Sequence, residues 1–389
     1  MEFIKNLRDV IRREVRLIRQ RPIYLISSVA VMAFCSIFFL TLLRDGQPKD
    51  LPVGIVDYDN SSVSRNFTRQ LDATQTCNTV QFSSFKEARE AMQTGKVSAI
   101  CVIPDNMAED IQANRRPVFT FYVNTLYFVG GTFAYKTILT MVNLTGGAVK
   151  REVLRAKGVN EDAIMGRIQP IRIDAHQIGN STANYSVYLN SVLLPGILEL
   201  SIILVLVYSL GAELKYGTSR HLMQKAGGSM GAAVLGKLIP YTLLFWSIGI
   251  FMDLLLYHWC RFPIEGSIWN MFAGTMVFVL SCEAVAITII GLLPVLRDAI
   301  SIAAIYSVLG FSLTGFTFPV EAMAPYIQGL AAAFPLRHYY LFYIQEAMYG
   351  TGFAGWHMEI VHLLLFLFVP LISIRRLEKA YVFQNFPRK

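Results

Sequence analysis

Six long apolar runs, at residues 23–43, 187–210, 238–257, 268–293, 299–316 and 361–374, leave this chain few ways to fold. Runs of about 20 apolar residues match the roughly 30 Å of a bilayer's hydrocarbon core, where no water reaches a backbone N–H or C=O. A helix satisfies those groups internally, so the runs are read as six transmembrane helices, the last with some extension at either end. Composition agrees: of 389 residues, 54% are hydrophobic and only 16% charged, too apolar for an ordinary soluble protein. The first run carries a long basic leader and "TLLRDG" where a signal peptide would have small residues, and is read as an uncleaved anchor.

Charge orients the spans, because loops on the cytoplasmic side carry excess Lys and Arg. Residues 1–21 hold seven basic and three acidic side chains, residues 211–237 four and one, and residues 375–389 five and one. Those three segments are expected in the cytoplasm. The connections at 258–267 and 317–356 are neutral and −1, as an outer face requires. The net charge of +8 is therefore a topology signal, and nucleic-acid binding is excluded.

The segment 44–186, with sixteen basic and fourteen acidic residues, is long enough for a core of its own. "LPVGIVDYD" reads as a buried strand ending in Asp57 and Asp59, followed by a helix capped at Ser61 or Ser62. A strand at 79–82, a helix from Ser83 or Ser84 to Gly95, the strand "SAICVIP", the strand "PVFTFYVN" and a long helical stretch at 126–157 follow. The expectation is an extracytoplasmic α/β domain with parallel pairing, in which Asp57 and Asp59 shape the turn. Cys77 and Cys101 are read either as a disulfide or as two buried thiols. His357 and His362, five apart, fall off a common helix face, so no metal is assigned to them.

"GAAVLGKL" at 231–238 imitates a nucleotide-binding loop, but Leu238 stands where a magnesium-binding Ser or Thr is required. Lys237 is read as an ordinary cation at the cytoplasmic edge of a span, and Gly231 and Gly236 as sites of close packing. No bound cofactor and no catalytic residue are expected in the chain itself.

Three motifs carry a family resemblance: "LPVGIVDYDNSSVSR", "AELKYGTSRHLM…LGKLIPY" and "LTGFTFPVEAM…FPLRHYYLFYIQEAMYGTG". In that order, over residues 16–376, they resemble the type 2 ABC exporter permeases of bacteria with one span, a large exterior domain and five further spans. The resemblance implies a bacterial inner-membrane exporter subunit without its own ATPase site, paired with a second permease copy or paralogue. It also implies an ABC ATPase that binds ATP and magnesium and docks on a short coupling helix. A periplasmic adaptor and an outer-membrane channel are optional partners. An amphiphilic or lipophilic substrate is expected. One departure is visible, since "SRHLMQKAGGSM" replaces the acidic or polar residue and Thr-Pro-like turn that usually follow the Gly-Thr pair.

On this reading residues 213–228 form the coupling helix, with Glu213, Tyr216, Gly217, Thr218, Arg220 and His221 as its working residues. The basic N-terminal helix, with apolar positions at Ile11, Val15, Leu17 and Ile18, lies along the membrane or against the ATPase. Residues 317–345, broken by Pro319, Pro325 and Pro335, resemble a re-entrant outer gate with Glu321, Arg337 and Tyr339 as polar contacts. Glu199 and Glu283 fall mid-span, where a carboxylate costs about 2.5–3.5 kcal/mol unless shielded, which marks a translocation path, a dimer contact or a bond to a neighbouring helix. Asp253 is placed at the outer interface. Two other classes remain: an ion-coupled secondary transporter using the intramembrane Glu residues, against which the halves show no internal repeat, and a membrane-anchored exterior binding protein.

Overall fold

The computed structural model of the protein describes residues 2–113, 115–171 and 173–383. Residues 384–389, the end of the expected tail, lie outside them. The chain forms two compact units, Met1–Arg44 with Gln177–Lys389, and Asp45–His176. Helix α1 (Glu2–Gln20) buries Val10, Glu14 and Ile18, one residue per turn along a single stripe. Of the apolar positions expected to form its contact face, Ile18 is buried and Ile11, Val15 and Leu17 lie at the margin. Pro22 opens α2 (Pro22–Leu42), whose Phe34, Ile37 and Leu42 point outward.

The second unit follows the expected strand and helix order. It contains β1 (Leu51–Asp57), α3 (Ser62–Asp72), β2 (Cys77–Gln81), α4 (Phe85–Gln93), β3 (Ala99–Ile103), α5 (Met107–Gln112), β4 (Thr120–Val123), α6 (Phe128–Ala156) and α7 (Glu161–Ile168). The sheet order is β2-β1-β3-β4, parallel except for β4. Caps set the helix starts: the Ser61 hydroxyl accepts the N–H groups of Val63 and Ser64, and Ser84 accepts that of Glu87. Asp57 accepts the N–H groups of Asp59 and Asn60, so it shapes the turn as expected, while Asp59 accepts from Ala108. Cys77 and Cys101 are free thiols in the core, and burial raises the pKa of both.

The helical unit continues with α8 (Tyr185–Lys215), α9 (Ser219–Lys225), α10 (Met230–Trp259), α11 (Ile268–Leu292), α12 (Leu296–Ser312), α13 (Pro325–Ala331), α14 (Pro335–Tyr343), α15 (Phe353–Ile372) and α16 (Ile374–Phe383). Among the described residues five helices, α2, α8, α10, α11 and α15, are long and apolar enough to cross a membrane; α12, at the run expected for the fifth crossing, has 17 residues. Helices α8 and α11 are mostly enclosed, whereas α2 and α15 are mostly exposed. The run at 231–238 lies wholly inside α10, without the strand and loop a phosphate cradle needs. Gly236 packs closely, as expected, but against α1: a Cβ there would fall 2.6 Å from Val10. At Gly231 a Cβ would meet only the Ser229 hydroxyl, so that position is not a close approach.

Candidate functional site

The turn between α8 and α10 is built by backbone geometry. Gly217, at φ +69°, takes a left-handed conformation that reverses the chain, and Gly227 and Gly228 at +64° and +79° end α9. Helix α9 is amphipathic: Ser219, Leu222 and Met223 point inward, while Arg220, His221, Gln224 and Lys225 are exposed. Tyr216 stands beside that face, with the Arg21 and Lys215 cations 5.5 and 5.7 Å from its ring centre.

Beneath this turn lies a buried ion cluster. The Lys237 ammonium donates to Glu14 at 2.8 Å and to Glu213 at 3.0 Å. Arg13 grips both Glu213 oxygens, at 2.8 and 2.9 Å, a bidentate pairing suited to its planar fork. Ser209 and Tyr241 each donate to Glu14 at 3.0 Å, and Thr218 donates to Glu213. Burial alone would lower the Arg13 pKa, but the hydrogen bonds and charge of Glu213 and the charge of Glu14 carry it above its ordinary value. Two carboxylates thus meet two cations, with Glu14 at 0%, Lys237 at 1% and Glu213 at 4% exposure. Helix α16 closes the cluster, since Ser219 donates to the Tyr381 carbonyl at 3.0 Å and Tyr381 donates to the Leu210 carbonyl at 2.9 Å.

This geometry corrects two expectations. Glu213 is an internal residue, held between Arg13 and Lys237, whereas it was expected on a subunit contact. Lys237, expected as an ordinary cation at the edge of a span, is buried at the centre of the cluster. Gly217 and Thr218 are half-buried, leaving Tyr216, Arg220 and His221 together on the exposed face. Arg13, Glu14, Ser209, Tyr241 and Tyr381 were not foreseen.

The other expected residues fall elsewhere. Glu283 accepts from Thr242 at 3.0 and 2.8 Å, a bond to a neighbouring helix. Glu199 is fully buried, and the Leu336 N–H approaches it without reaching regular hydrogen-bond geometry. Asp253, near the end of α10, is buried within the helical unit and accepts from Thr275, whose hydroxyl also bonds Tyr339. In the proline-broken segment, Pro319 precedes a 3₁₀ turn at Val320–Ala322, and Pro335 is the first residue of α14. Arg337 reaches Glu321 at 3.4 Å and the Thr314 carbonyl at 3.3 Å.

A family model described as "ABC-2 family transporter protein" matches residues 22–374. The chain belongs to the ABC-2 transporter family. It is thus a multi-pass membrane protein of a family of permease subunits that work with an ABC ATPase. No curated protein matches the sequence. In this chain the junction of α8, α9 and α10 sets the exposed face of a short amphipathic helix above the buried charges of Glu14, Glu213 and Lys237.

Proposed function

We propose that this chain is the permease subunit of an ATP-driven exporter, and that its ATPase docks on the exposed face formed by Tyr216, Arg220, His221, Gln224 and Lys225. The observation that carries the reading is the joining of that face to the ion cluster beneath it. Glu213 lies in the last turn of α8, Lys237 lies about two turns into α10, and Arg13 and Glu14 tie both to α1. A push on α9 cannot be absorbed locally, because any separation of these helices would strip a buried charge of its partner, at about 3–5 kcal/mol. The cluster therefore passes displacement of α9 to α8, α10 and α1 together.

On this reading α9 and both termini lie in the cytoplasm, as the basic loops favour. Helix α12 is the fifth of six crossings, because its 17 residues rise about 26 Å, at the short end of what spans a bilayer. The α/β unit lies outside a bacterial inner membrane. A second permease copy or paralogue completes the path for an amphiphilic or lipophilic substrate leaving the cytoplasm or inner leaflet. ATP and magnesium are bound by the ATPase, and an adaptor and outer-membrane channel are optional additions.

A photo-crosslinking residue at His221 tests the docking face. The expected adduct is a polypeptide carrying nucleotide-binding motifs. Arg220→Glu combined with His221→Glu should reduce its co-purification by on the order of tenfold, as expected for charges at a docked surface. The thermal stability of the permease should not change. Adducts with the ATPase arising only from α1 or α16 would overturn the assignment.

A further inference from the structure

Three donor groups outside the ion cluster converge between α14 and α15. Glu359 and His362 lie three apart on α15, one turn from each other on the same face. His338 reaches them from α14, and the ligating atoms of all three lie within 4.8 Å of one another. Glu359 sits six residues after Phe353, about 9 Å along the helix from its start.

The hydrogen bonds fix what each nitrogen offers. His338 Nε2 lies 3.0 Å from the Ala332 carbonyl, which only accepts, so Nε2 carries the hydrogen. In the neutral ring Nδ1 is then a lone pair, and it faces a Glu359 oxygen at 2.8 Å. Two acceptors at that distance require a proton or a cation between them. A second imidazole is directed at the same carboxylate oxygen: His362 Nδ1 lies 3.7 Å from it, with its ring 4.7 Å from that of His338. A single proton would satisfy only the His338–Glu359 pair, whereas one cation would engage both imidazoles and the carboxylate, a transition-metal donor set. A backbone carbonyl orienting the far nitrogen of a ligating histidine is the usual support of such a site. The nearby Arg337 cation is turned to Thr314 and Glu321. His362 is 48% exposed, which leaves an approach for the ion and a fourth ligand.

We propose that His338, Glu359 and His362 bind one divalent transition-metal ion of the zinc class, which clamps α14 to α15 and so fixes the proline-broken segment. The proposal does not depend on where the ATPase docks. It goes beyond the reading of His357 and His362 alone, because the third ligand comes from a different helix.

The test uses the full chain, purified by an affinity tag without histidines, stripped with chelator and titrated with Zn²⁺ and separately with Co²⁺. Expected are retention of one more Zn²⁺ per chain than in Glu359→Gln, a Co²⁺ absorbance spectrum of tetrahedral or five-coordinate type, and at least about tenfold weaker Zn²⁺ binding in His362→Gln. His357→Gln should bind as the unaltered chain does. His362 is half-exposed, so its substitution is compatible with folding even if His338→Ala is not. Equal Zn²⁺ retention and equal Co²⁺ spectra in the unaltered chain, Glu359→Gln and His362→Gln would overturn the proposal.

Discussion

Glu14 shows how a single charged residue is committed by its position on a helix. It occupies the stripe between Val10 and Ile18, where every neighbouring turn is buried, so its carboxylate needs an internal counterion. Lys237 supplies it. Lys237→Met is expected to destabilise the chain by about 3–5 kcal/mol, because two carboxylates are then left with Arg13 alone. Adding Glu14→Gln should recover part of that loss, and a double-mutant cycle in denaturant-induced unfolding measures it. Strictly additive effects would refute the pairing. The misplacement of charge in these helices was a matter of partners: an acidic residue on an apolar stripe is visible in the sequence at position 14, but its partner 223 residues away is not. The burial of Lys237 is not legible either, because the excess of cations at span ends says which side of the membrane they favour, and nothing of whether they face water.

Elements were more legible than their contacts. Ser61 and Ser84 mark helix starts through bonds made within three residues, and Pro319, Pro325 and Pro335 mark breaks through their own ring geometry, so both are local properties. Which face a helix buries depends on chain distant in sequence, and α1 illustrates the cost of lacking that information. Its contact with α10 depends on Gly236, where any side chain meets Val10 at 2.6 Å and the Leu7 carbonyl at 3.4 Å. Gly236→Val should therefore lift α1 away while α10 stays helical. Limited trypsin digestion reads this out as faster cleavage at Arg12 and Arg16. An unchanged cleavage rate would show that α1 is held without close packing at that position.

At the scale of the whole molecule, the two units obey different rules. The α/β unit is encoded in caps, strands and turns, whereas the helical unit is encoded in length and hydropathy, which leave α12 at 17 residues on the boundary of a crossing. The proposed orientation has a direct check. Lys96 is exposed in the α/β unit and Lys225 is exposed on α9. An impermeant thiol reagent applied to intact cells should label Lys96→Cys and spare Lys225→Cys, above the background of the native thiols; the reverse pattern would invert the topology. The long reach of the ion cluster also has a consequence in time. Glu14 leaves the ribosome 223 residues before its counterion, roughly 10–45 s at ordinary synthesis rates. Throughout that interval Glu14 lacks its Lys237 counterion, so α1 cannot complete the cluster until α10 has been made.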